Sequence, residues 1–317
     1  MAVIDVFNGD ADGICALHQL RLAAPTESTL VTGVKRDIKL LTGVKAGKGD
    51  QVNVMDISLD KNRDDLISLL ENGASVIYFD HHFAGEIPQH PSLDAHIDTS
   101  SDVCSSLLVN GYLGGQYLPW AVTAAFGDNL FESAVTAAKP LNLNEEQLNQ
   151  LKELGTLINY NGYGAALEDL HFPPAELYQL IKPYENPFDF INQSPEFTVL
   201  REGYLHDLQE VENIKPESEK DNYAVYILPN APWARRVSGV FANGLAQSHT
   251  QRAHAILSVI DDDAYLVSVR APLNNKEGAD DVCRQFESGG GRKAAAGINR
   301  LPKSEFSRFI AVMEEVF

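Results

Sequence analysis

The chain has 317 residues, of which 44% are hydrophobic and 22% charged, enough apolar side chains for two domains with cores of their own. Its formal charge of −19 is uneven, with 34 acidic residues against 14 basic ones up to residue 222 and 10 against 11 beyond. That balance argues against long duplex nucleic acid as a partner, because such binding rests on Lys and Arg neutralising phosphates, and it favours divalent cations.

No apolar stretch approaches the ~20 residues that cross a bilayer, and the first seven residues lack the basic start and apolar core of a secretory signal. A membrane partner is therefore not expected. Cys15, Cys104 and Cys283 have no paired spacing that would indicate a zinc site or a disulfide framework. The expectation is a cytoplasmic protein with buried thiols.

In chain order, Val3 to Phe7 reads as a strand that runs into Asn8-Gly9-Asp10-Ala11-Asp12-Gly13. A helix over Ile14 to Leu22 and a strand over Thr29 to Val34 follow. Gln51 to Met55 is a strand ending at Asp56, Asp64 to Leu70 a helix, and Ala74 to Phe79 a strand ending in Asp80-His81-His82. Asp102 to Leu113 completes the series as a helix. Such alternation predicts a mainly parallel sheet flanked by helices, with three strand ends delivering metal-capable side chains to its carboxyl edge, where ligands gather in open α/β sheets. Taken alone, Asp-x-Asp-Gly is more often an ordinary turn. The spacing also mimics half of a calcium loop, but the twelfth position is Gln19 where a bidentate Glu is required.

From Asn142 the period becomes helical, with Leu148, Leu151, Leu154, Leu157 and Ile158 spaced as a core stripe. Residues 214–222 are polar and read as a linker. A second, smaller α/β domain follows, with strands over Tyr223 to Leu228, Ala255 to Ile260 and Tyr265 to Val269, and helices over Arg236 to Gln247 and Asp280 to Phe286. Ser288-Gly289-Gly290-Gly291-Arg292 leads into Lys293-Ala294-Ala295-Ala296-Gly297, predicting exposed amides and a helix start that receive an anion. The expected organisation is residues 1–195, a connecting helix and linker over 196–222, and 223–317.

Asp10-Ala11-Asp12-Gly13, Asp56, Asp80-His81-His82, Phe126-Gly127-Asp128 and Gly289-Gly290-Gly291-Arg292 resemble, in order and spacing, the DHH superfamily of phosphoesterases with an attached DHHA1 domain. The segment Asn159-Tyr160-Asn161-Gly162-Tyr163-Gly164 is also loosely similar to one between the domains of RecJ-like members. The resemblance implies a site in the cleft between two domains, holding two divalent ions, Mn²⁺ foremost and Mg²⁺ as the alternative. Asp10 and Asp56 would hold one ion, and Asp12, Asp56, His81 and Asp128 the other. Asp80 would orient its neighbours, while His82 and the glycine run would meet substrate phosphate. Two positions depart from the pattern: Asn8 stands about where many members carry a His ligand, and Arg292 stands where a His usually follows the glycines.

Arg235, Arg236 and Arg270 are further candidate phosphate contacts. The expected activity is metal-dependent hydrolysis of phosphoesters in small nucleotides, such as short oligoribonucleotides, nucleoside bisphosphates or cyclic dinucleotides. Two alternatives stand beside it: a single-strand exonuclease of RecJ type, which would need a basic channel, and a catalytically weak nucleotide-binding protein.

Overall fold

A computed structural model describes residues 1–317, which divide into two units, Met1–Glu202 and Gly203–Phe317. The first unit opens with β1 (Val3–Phe7), α1 (Ala11–Ala23), β2 (Thr29–Val31), β3 (Gln51–Met55), α2 (Leu59–Glu71), β4 (Ser75–Asp80) and β5 (Leu93–Ile97). These strands form one parallel sheet in the order β2-β1-β3-β4-β5. Strands covered on both faces need apolar residues at successive positions, which is why Val54 to Met55 and Tyr78 to Phe79 are buried in succession. The order reverses between β1 and β3, so the switch point lies beside Asn8 and Asp56, as the sequence predicts for a ligand-binding edge.

Helices complete this unit: α3 (Ser105–Tyr112), α4 (Leu118–Gly127), α5 (Phe131–Ala138), α6 (Glu145–Asn161), α7 (Pro174–Ile181) and α8 (Pro187–Gln193). A capping box formed by Asn144 and Gln147 starts α6, and its expected stripe is buried at Leu151, Leu154, Leu157 and Ile158. Helix α9 (Pro195–Glu212) runs through the boundary between the units. Its last turns belong to the second unit, where Asp207 forms a buried ion pair with Arg236 of the same unit.

The second unit holds β6 (Ser218–Glu219), β7 (Tyr223–Leu228), α10 (Pro232–Ser248), β8 (Ala253–Val259), β9 (Ala264–Arg270), α11 (Ala279–Cys283), β10 (Gly289–Arg292), β11 (Ala295–Pro302) and α12 (Phe306–Val316). Its sheet order is β10-β11-β9-β8-β7-β6, with only β7 and β8 parallel. Val225, Leu257, Val267, Ile298 and Phe309 pack in one core on this sheet. Across it, Tyr226, Leu228 and Ile256 pack with Ala234 and Ala242 of α10.

Several elements differ from the sequence reading. The segment 214–222 is not all linker, since Ser218 and Glu219 pair antiparallel with β7 and close that edge. Strand β2 stops at Val31 because the Asp37 carboxylate accepts from the Val34 amide at 3.1 Å and turns the chain. Helix α1 starts three residues early because Asp10 caps it. The glycine run is a strand rather than a loop before a helix: Gly289 to Arg292 pair with Ala295 to Ile298. The helix propensity of the alanines is overridden by the backbone bonds that β9 offers to β11. All three cysteines are buried and free, and no helix is long and apolar enough to cross a membrane.

Candidate metal centre

Four chain segments meet at the carboxyl ends of β1, β3 and β4. After β1, Asp10 is the N-cap of α1, its Oδ1 accepting from the amides of Asp12 and Gly13 at 3.0 and 3.1 Å. The turn expected of Asp-x-Asp-Gly is therefore present, and it leaves the second oxygen of Asp10 for another partner. Asp12 lies on the first turn of α1, and its two carboxylate oxygens accept at 2.7 Å from the amides of Ser105 and Ser106, which open α3. Those amides and the helix dipole both face the Asp12 carboxylate with positive partial charge.

Asp56 ends β3 in a left-handed conformation with φ of 61°. A non-glycine residue is rarely held there without a compensating contact. Here the Asp56 amide donates to the Phe79 carbonyl at 2.9 Å and the Ser105 hydroxyl donates to its Oδ1 at 3.1 Å. Asp128 is the C-cap of α4. Gly127, just before it, has no room for a side chain: a Cβ there would meet Ala11 Cβ at 2.4 Å and Gly155 O at 2.8 Å, so α4 comes close to both α1 and α6.

His81 gathers these carboxylates. Its Nδ1 lies 2.9 Å from the Val103 carbonyl, which only accepts, so Nδ1 is the donor and Nε2 is the ligand face. That nitrogen lies 4.0 Å from Asp12, 3.4 Å from Asp56 and 3.5 Å from Asp128. Asp12, His81 and Asp128 form one group able to hold a cation, and Asp56, His81 and His82 form another. The first is the better donor set, because His82 Nδ1 is already committed to Asp80 Oδ1 at 2.8 Å. Asp80, fully buried, also accepts from the His82 and Leu59 amides, so it fixes the neighbouring backbone as well as the ring.

The charges explain why a cation belongs here. Burial, with Asp12, Asp10, Asp128 and Asp80 adding like charge, pushes the Asp56 carboxyl well above the usual range. Burial also raises Asp128, with Asp12 and Asp10 adding to it against Lys35 and His81. For His82, burial acts to lower the pKa, but the Asp80 bond and charge outweigh it and hold the imidazole above its ordinary value. Oxygen donors around one imidazole suit a hard or borderline divalent ion such as Mn²⁺ or Mg²⁺.

Two residues that sequence reasoning did not single out complete the cluster. Lys35, in the loop after β2, places its Nζ 2.5 Å from Asp10 Oδ2, 2.8 Å from Asn159 Oδ1 and 3.5 Å from Asp128 Oδ1. Burial would lower its pKa, yet Asp10, Tyr163 and Asp128 together hold the ammonium well above its ordinary value. Ser105 is the other, donating to Asp56 as described. No local pattern marks Lys35, whereas Asn159 lies in the loosely matched segment ahead of Tyr163. Asp10, expected as a ligand, joins neither cation-capable group. Asn8 is buried with its Nδ2 donating to the Lys35 carbonyl at 3.3 Å and its Oδ1 without a partner.

The candidate phosphate contacts lie in the second unit. Arg236 is a correction: it is buried and doubly bonded to Asp207 at 2.7 and 3.0 Å, so its guanidinium holds α10 to α9. Arg235 donates to Asn230 Oδ1, and Arg270 to Asn243 and Ser268. Arg292 is exposed on β10. Within the glycine run, a Cβ at Gly289 would meet Cys283 O at 1.7 Å and one at Gly291, whose φ is +143°, would meet Ala296 Cα at 2.5 Å. Gly290 has open space where a side chain would be.

No protein-family model matches the chain, and no curated protein is similar to it in sequence. Solved structures are similar in fold. The chain is similar to an exonuclease RecJ bound to manganese with a TM-score of 0.61 and 16% identity, over 99% of this chain and 89% of that one. It is also similar to RecJ in complex with Mn²⁺ from Thermus thermophilus, with a TM-score of 0.60 and 18% identity over 99% of this chain, though it spans only 51% of that longer one. The pGpG-specific phosphodiesterase PggH from Vibrio cholerae gives a TM-score of 0.57 at 13% identity over 100% of this chain and 99% of that one. The chain has a RecJ-like fold.

Proposed function

We propose that this chain is a divalent-metal-dependent phosphoesterase acting on small nucleotides. The observation that carries the reading is the convergence of Asp12, Asp56 and Asp128 on His81 Nε2 at a switch point, with burial and mutual repulsion raising Asp56 and Asp128. Asp12, Asp56, His81 and Asp128 would hold the ion. A divalent ion there supplies Lewis acidity toward a water nucleophile and a phosphate oxygen.

The remaining chemistry belongs to the chain. Val103 and Asp80 hold the two imidazoles in fixed orientations, so His81 presents Nε2 to the carboxylates and His82 keeps its Nδ1 proton on Asp80. His82, half exposed and with its imidazole pKa held above the ordinary value by Asp80, is placed to meet a phosphate oxygen. Arg292, exposed on β10 of the second unit, carries a forked guanidinium of the kind that binds phosphate oxygens. Phe83, 73% exposed and next to His82, offers an aromatic face on which a base stacks.

A short substrate fits the charge, since an acidic first unit repels a long polyanion. PggH, described as pGpG-specific, lends support to a linear dinucleotide or short oligoribonucleotide. The likeness to RecJ favours a second reading, in which the chain is an exonuclease. The deciding experiment is turnover of a panel containing pGpG, short oligoribonucleotides, nucleoside bisphosphates, cyclic dinucleotides and single-stranded DNA, with Mn²⁺ and with chelator. Fastest Mn²⁺-dependent turnover of a short substrate is the expected result. Preference for long single strands would favour the exonuclease, and nucleotide binding without turnover would leave a binding protein.

A further inference from the structure

We propose that Lys35 is a built-in cation occupying one of two cation positions in this centre, so that the chain holds a single divalent ion. The proposal rests on the metal-dependent reading above and narrows it. An ammonium carries three donors and no acceptor, and three oxygens face Lys35 Nζ: Asp10 Oδ2, Asn159 Oδ1 and Asp128 Oδ1 at 2.5, 2.8 and 3.5 Å. They come from the turn after β1, from α6 and from the end of α4, so the pocket is assembled by the fold rather than by one flexible loop.

The lysine backbone is anchored too. Its amide donates to the Gly162 carbonyl at 2.9 Å and its carbonyl accepts from Asn8 Nδ2 at 3.3 Å. Asp10 then has no carboxylate oxygen without a partner, since Oδ1 caps α1 and Oδ2 meets the ammonium. A divalent ion on Asp10 would have to share Oδ2 with the positive charge of the partly buried Lys35 ammonium at van der Waals range, where the two cations repel.

Asp128 divides its oxygens between the two positions: Oδ1 is 3.5 Å from Lys35 Nζ and Oδ2 is 3.5 Å from His81 Nε2. The carboxylate between the two positions is therefore Asp128, which would be shared by the ammonium and an ion held with Asp12, Asp56 and His81. With its donors engaged, Lys35 is a positioning residue that fixes Asp10 and Asp128 rather than a group that touches substrate.

The test is metal stoichiometry, which a merely structural lysine would not alter. The full chain is stripped with chelator, saturated with Mn²⁺, desalted, and its metal and protein measured, with titration calorimetry alongside. The expected result is one Mn²⁺ per wild-type chain, rising to two in Lys35→Ala, where Asp10, Asn159 and Asp128 become available. Two ions per wild-type chain would overturn the proposal while leaving the metal-dependent reading intact, and this arm stands even if Lys35→Ala does not fold. One ion in a folded Lys35→Ala would overturn it as well. No ion in the wild type would bring down the metal-dependent reading and this proposal with it.

Discussion

Buried carboxylates occur in two places along the same strands, and the fold treats them in opposite ways. Asp5, in the middle of β1, is fully buried and met by Arg21 Nε at 2.8 Å, the Arg21 Nη2 at 2.5 Å, Ser28 Oγ at 2.6 Å and Asn53 Nδ2 at 2.7 Å. Asp56, at the end of β3, is buried among other carboxylates and has a hydroxyl and the rim of two imidazoles for partners. The first arrangement satisfies a charge within the protein; the second leaves charge for something the protein must bind. Asp10 is intermediate, a strand-end carboxylate already neutralised by Lys35.

The largest expected effect is at Asp56. Asp56→Asn should lower kcat/KM roughly a thousandfold or more, about 4 kcal/mol of transition-state stabilisation, while the metal-free protein melts no lower than wild type because one like charge has left a crowded site. Steady-state kinetics with thermal melts in chelator would check both halves. A clear drop in the Tm of the metal-free variant would mean that Asp56 is a structural carboxylate like Asp5.

Asp5→Ala should show the reverse pattern. Removing one partner leaves the buried Arg21 of α1 without its carboxylate and should cost about 3–5 kcal/mol, with kcat per folded molecule unchanged. Chemical denaturation and active-site-normalised rates would measure it. Loss of Mn²⁺ binding in the folded variant would erase the distinction between the two groups.

Asp80→Asn comes next, because it keeps the shape and removes the charge that holds His82. A loss of roughly 10–100-fold is expected, together with a fall in the His82 pKa readable by NMR titration, since Asp80 is what offsets burial there. An unshifted imidazole would show that Asp80 merely supports the backbone.

The smallest effects are in the second unit. Arg292→Ala should raise KM by about tenfold through loss of one charge-assisted bond, with Arg292→Lys recovering part. Gly290→Ala separates ligand approach from packing, since its Cβ meets nothing in the protein. A normal melt with a raised KM is the expected outcome, and unchanged kinetics in both variants would make the hairpin a structural feature alone.

Much of this was legible because strands in a parallel sheet announce themselves as continuous apolar runs, and each run ended in a ligand-type side chain. Asp12, Asp56, Asp80, His81 and His82 were reachable by that route, Asp128 at a helix end only through the family resemblance, and the structure brings them together. Lys35 was not, because nothing in Gly33-Val34-Lys35 marks a lysine aimed at Asp10: its partners are 25, 93 and 124 residues away. Arg236 misled for the same reason, since a buried ion pair with Asp207 is a tertiary fact that an arginine's identity does not disclose. The glycine run suggested a loop because Gly and Ala disfavour strands, yet pairing to β9 and β11 decided otherwise.

The central claim, a metal centre at the carboxyl ends of β1, β3 and β4, is tested most directly by anomalous diffraction from crystals of the full chain soaked in Mn²⁺. The account predicts one peak bonded to Asp12, Asp56, His81 and Asp128, with Lys35 still on Asp10. The absence of a peak there at saturating Mn²⁺, or a peak bound only by other residues, would contradict it.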